Sequence, residues 1–89
     1  MENKIKVHIL KVVLVKYENK TADGYLCHDI IECSNDKIDM RSLFIYFPEL
    51  MEFKPPGSPL HKPWFGHNKN PDAWAHRIVV LEKLIKQLS

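Results

Sequence analysis

The chain has 89 residues, enough for one domain spanning residues 1–89 and no more. With 45% hydrophobic and 27% charged residues it is too apolar for a disordered chain. A fold of this size leaves little core for an enclosed active site. The net charge of +2 and pI of about 8.6 fall short of a committed nucleic-acid binder, whose pI exceeds about 9.

Residues 1–6 are polar, and the apolar run 12–15 is flanked by Lys11 and Lys16, so no leader peptide is expected. Nothing approaches the roughly 18 apolar residues of a membrane span. A cytoplasmic protein without membrane contact is expected, and a homo-oligomer suits so small a core.

Residues 4–17 carry two patterns. Ile5, Val7 and Ile9 alternate with Lys4, Lys6 and His8, as in a strand. Ile9, Leu10, Val13, Leu14 and Tyr17 also share a helical face. The β-branched content favours a strand; the length without Gly, Pro or Asn favours a helix, which is the reading adopted.

Residues 19–24 form a turn ending in Asp23-Gly24. Residues 25–33 follow as a second helix, with Leu26, Ile30 and Cys33 on one face and Cys27 and Ile31 beside it. The polar residues 34–37 break it. Asp39 is placed to cap a third helix over 40–46, with Leu43, Phe44 and Phe47 on its apolar side. Pro48 ends that helix at Phe47 and opens a short one over 48–53.

Residues 54–70 differ in kind. They hold four of the six prolines, three Lys and two His, and no Asp or Glu. A loop this long inside a small domain is usually functional or disordered. The last helix begins with Asn70 as cap, Pro71 in its first position and Asp72 complementing the dipole. Trp74, Ile78, Leu81, Ile85 and Leu88 make its apolar stripe. The expected fold is mostly α, a single-domain bundle of four to five short helices with a Pro-rich loop before the C-terminal helix.

Chemistry-bearing patterns are sparse. Cys27, His28 and Cys33 lack the paired spacings of a structural zinc site, and adjacent positions point about 100° apart on a helix. The two cysteines read as reduced thiols. There is no phosphate-binding Gly loop, nucleophile elbow or H-E-x-x-H. Neither a catalytic residue, a metal nor a cofactor is implied, and the chain reads as a non-catalytic binding protein.

The candidate site lies in the loop and the start of the last helix. His61, Lys62, Trp64, Phe65, His67 and Lys69 interleave cationic or titratable groups with aromatics, and Trp74 and Arg77 follow at i and i+3. Aromatic planes beside cations suit a nucleotide-like anion. The same residues have a plainer reading: Trp64, Phe65 and Trp74 as core, and Arg77 paired with a carboxylate. A second binding mode uses Phe44, Tyr46, Phe47, Met51 and Phe53, a surplus of large apolar side chains that suits a protein partner. A DNA-binding role ranks well behind both.

The order Gly24-Tyr25-Leu26-Cys27-His28, then Trp64-Phe65, then Arg77-x-x-x-Leu81-x-x-Leu84-Ile85 resembles that of small tailed-phage accessory proteins. The resemblance covers residues 9–88 in outline, with Pro48 and residues 54–63 fitting it only loosely. It implies a protein made in a bacterial host cytoplasm that counters host defence, by sequestering a nucleotide-like signal or by inhibiting a host protein. It assigns no catalytic residue.

Overall fold

The computed structural model of the chain describes residues 1–53 and 71–89. These form α1 (Asn3–Glu18), α2 (Leu26–Cys33), α3 (Leu43–Tyr46), a 3-10 helix (Pro48–Phe53) and α4 (Pro71–Leu88). No strand occurs among the described residues. The mostly helical architecture is the one the sequence predicts. The Pro-rich loop expected over residues 54–70 lies outside the described residues.

In α1 the helical pattern prevails over the alternating one. Lys6, Ile9, Leu10, Val13 and Tyr17 are its buried residues. Lys6, Leu10, Val13 and Tyr17 fall at i, i+4, i+7 and i+11, a single stripe. Lys20 ends this segment with a φ of 60°. The N–H groups of Thr21 and Ala22 then return to the Lys16 carbonyl at 2.8 and 3.1 Å, so the closing residue is a lysine where glycine is usual.

Helix α2 buries Leu26, Cys27, Asp29 and Ile30, whereas Cys33, expected on the apolar face, is half-buried. Asn35 and Asp36 then take φ of 54° and 66°, a conformation Asn and Asp tolerate better than most residues.

The third helix is shorter than expected. It starts at Leu43, not at residue 40, because Asp39 caps a turn instead. Its Oδ1 accepts the N–H groups of Arg41 and Ser42 at 3.0 and 2.8 Å and the Ser42 hydroxyl at 2.9 Å. Local side-chain bonds of this kind compete with helix, and those from Ser42 above all lower the Asp39 pKa from its ordinary value. Leu43 and Phe47 are nonetheless fully buried, and the break before Pro48 falls where steric exclusion at Phe47 requires it.

Trp74, near the start of α4, meets Tyr17, near the end of α1. At the opposite ends, Leu88 lines a groove with Lys4 and Lys11. The two long helices are therefore antiparallel. The core-facing stripe of α4 is rotated from the predicted one: Arg77, Val80, Leu81, Leu84 and Leu88 are buried, while Trp74, Ile78 and Ile85 flank them. With α2, α3 and the 3-10 helix these residues enclose one continuous core.

Candidate functional site

Two of the sequence-derived site residues, Trp74 and Arg77, lie in described structure. His61, Lys62, Trp64, Phe65, His67 and Lys69 lie outside the described residues. Trp74 is half-buried and turned inward. Its indole N–H donates to the Tyr17 carbonyl at 2.9 Å, and the two rings pack with centroids 4.6 Å apart at 53°. Arg77 is 4% exposed, and its charge acts on both Tyr17 and Cys27. Both side chains are thus engaged with the interior.

Around them lies a small polar cluster. The Tyr17 hydroxyl donates to Asp29 Oδ2 at 2.7 Å. Asp29 Oδ1 accepts the Asp23 N–H at 3.1 Å. One carboxylate, itself 2% exposed, therefore fixes the turn between α1 and α2. Burial above all, then the bond to Asp29, pushes the Tyr17 phenol up from its ordinary range, and Arg77 opposes this only in part. Burial likewise pushes the Cys27 thiol up to about 12 against the opposing Arg77 charge. Cys33 is also raised, chiefly by burial. Both cysteines are free, and a raised thiol carries little of the reactive thiolate at neutral pH.

A buried ionic contact ties α1 to the 3-10 helix. Lys6 Nζ donates to Glu49 Oε1 at 2.8 Å, with side-chain exposures of 6% and 17%. The same ammonium lies 5.2 Å from the Phe47 ring centroid. Lys6 reads in the sequence as one of the polar alternates of residues 4–9. Its place on the Leu10–Val13–Tyr17 stripe was the available signal.

Three exposed donors, Asp23, His28 and Glu32, bring ligand atoms within 4.8 Å of one another. His28 and Glu32 sit at i and i+4 on α2, and His28 Nδ1 is 3.8 Å from Asp23 Oδ2. The trio is one donor short of a structural zinc set. Of the Cys27, His28 and Cys33 group weighed in the sequence, only His28 belongs to it.

The clearest outward feature is the segment carrying α3 and the 3-10 helix. Leu43, Phe47 and Leu50 are fully buried beneath it, while Met40, Ile45 and Met51 are 57%, 74% and 46% exposed. Of the surplus apolar residues named from the sequence, Phe47 is core, Phe44 and Tyr46 are half-buried, and Met51 is outside. The side chain of Phe53 lies outside the described residues. The α1–α4 groove, lined by Lys4, Val7, His8, Lys11, Leu88 and Ser89, is a separate concavity.

No family model, no curated protein and no solved structure matches this chain. Among the described residues no helix is long and apolar enough to cross a membrane.

Proposed function

We propose that this chain is a non-catalytic protein-binding module that docks through the segment carrying α3 and the 3-10 helix. The supporting observation is the exposure of Met40, Ile45 and Met51 on a segment anchored by Leu43, Phe47 and Leu50. Buried anchors hold the backbone in place, so these apolar side chains are presented at low entropic cost. Exposed Met and large aliphatic residues on a small domain mark contact surfaces. The resemblance to small tailed-phage accessory proteins makes a bacterial host protein the expected partner and its inhibition the expected outcome.

The other expectation, sequestration of a nucleotide-like anion, rests on His61, Lys62, Trp64, Phe65, His67 and Lys69 together with Trp74 and Arg77. The inward engagement of Trp74 and Arg77 favours the docking reading over it.

The test is affinity capture from bacterial lysate with the intact chain and with Ile45→Glu. A stoichiometric protein partner retained by the former and lost by the latter supports the reading. Equal capture by both, or no capture by either, refutes it. Sedimentation equilibrium separates self-association from a foreign partner: a dimer abolished by Ile45→Glu would assign the surface to a second copy of the chain.

A further inference from the structure

Donors of two kinds meet on the outside of the junction between α1 and α2: the imidazole of His28 and the carboxylates of Asp23 and Glu32, with ligand atoms within 4.8 Å of one another. They come from two elements. His28 and Glu32 lie four residues apart on α2, the helical spacing that places two side chains on one face. Asp23 reaches them from the turn. Gly24 takes a φ of 93° there, a conformation glycine adopts without steric cost, and Asp29 Oδ1 holds the Asp23 N–H at 3.1 Å. Asp29 is itself buried, so the backbone at position 23 is fixed from inside while its side chain stays outside. The Tyr25 ring meets the His28 ring edge-on, with centroids 6.4 Å apart at 72°, and so limits the swing of the imidazole.

Negative charge at this point is not balanced within the described structure. Two carboxylates face one imidazole, with His28 Nδ1 3.8 Å from Asp23 Oδ2. Glu32 forms no ion pair with a described residue. Lys16 acts on the neighbouring Cys33 without pairing to either carboxylate. The first turn of α2 opposes a cation with about half a positive charge, which the two carboxylates outweigh.

We propose that Asp23, His28 and Glu32 bind a divalent first-row metal ion of the zinc class through one nitrogen and two oxygens, with water in the remaining position. The imidazole selects for zinc and its neighbours and against calcium and magnesium, which take oxygen donors. Zinc–ligand bonds of about 2.0–2.2 Å put tetrahedral donors about 3.3–3.6 Å apart. Donors already within 4.8 Å close on such an ion by small rotations of exposed side chains. Three protein donors and an open position describe an exchangeable ion, not a closed structural site. Binding ties the turn at Asp23 to the body of α2, and it does not depend on docking through the α3 segment.

The test is calorimetric titration of the full, reduced chain with zinc chloride, with amide NMR to place the ion. Zinc is expected to bind and to shift the resonances of residues 23–32, and magnesium at the same concentration is not. His28→Gln and Glu32→Gln are each expected to weaken zinc binding more than about tenfold, since even loss of an outer-shell partner costs about 10–100-fold in metal affinity. Both side chains are exposed, so each variant should keep the circular dichroism of the parent. His8→Gln and Cys33→Ser are expected to leave the affinity unchanged. No zinc binding, shifts centred on other residues, or an equal loss in the His8 or Cys33 variant would overturn the site. Magnesium binding as tightly as zinc would overturn the role given to His28.

Discussion

Replacing Lys6 by Met tests the buried contact between α1 and the 3-10 helix. In the parent chain the Lys6 ammonium neutralises Glu49 at 2.8 Å, and the Glu49 Oε2 atom is already buried without a hydrogen bond. Lys6→Met strips the carboxylate of its only counter-charge among the described ion pairs. Breaking a buried pair costs about 3–5 kcal/mol. Glu49 keeps 17% exposure, so part of its charge is recovered by water, and about 2–3 kcal/mol is expected. For a domain of this size that lowers the melting temperature by about 8–24 °C. The double variant Lys6→Met/Glu49→Leu removes both charges and is expected to regain most of the loss, because an apolar pair of similar volume is often neutral or stabilising. Urea unfolding followed by circular dichroism gives all four corners of the cycle. If Lys6→Met unfolds within about 0.5 kcal/mol of the parent, or the double variant is no better than the single, the ionic account of this contact is refuted.

Three further outcomes follow from the cluster around Asp29. Tyr17→Phe leaves Asp29 Oδ2 without its donor and should cost about 1–3 kcal/mol in urea unfolding; a loss below that range would show the bond to be dispensable. Tyr17 and Cys27 both have raised folded-state pKa values, so on alkalinisation the unfolded state gives up protons first. Their contribution is present at neutral pH and is lost as pH rises above the ordinary thiol and phenol values of about 8.5–10. The urea midpoint should therefore fall above that range, and more shallowly in Tyr17→Phe; a midpoint flat across it would refute the linkage. In the native protein a disulfide-exchange reagent should modify half-buried Cys33 first and reach buried Cys27 only at the rate of unfolding, which the biphasic release of its chromophore would show.

The helices were legible in the sequence where periodicity and punctuation agree. Pro71 at the start and the apolar stripe behind it define α4, and only the centre of the stripe is displaced, because Val80 and Leu84 are buried in preference to Ile78 and Ile85. Residues 4–17 satisfied two periods at once, and packing of the Leu10–Val13–Tyr17 stripe decided between them. Asp39 reads as the cap of a third helix, but its bonds to Arg41 and Ser42 organise a turn ahead of that helix. The Lys6–Glu49 contact spans 43 residues of sequence, and the Tyr17–Asp29 bond joins different helices. Local patterns carry no record of such pairings. The groove cations were visible as residues but scattered among a strand-like alternation. Their alignment emerges only once α1 is a helix with α4 beside it.

The acceptor for the Trp74 indole is a main-chain carbonyl in the last turn of α1, where helix carbonyls lack the usual partner four residues on. Every amino acid supplies that oxygen. Sequence drift at position 17 can change the ring stacked against Trp74 and the hydroxyl that reaches Asp29, yet it leaves the clasp between the first and last helices in place. The clasp itself is thus indifferent to which side chain stands at position 17, whereas burial and the bond to Asp29 constrain that side chain on their own account.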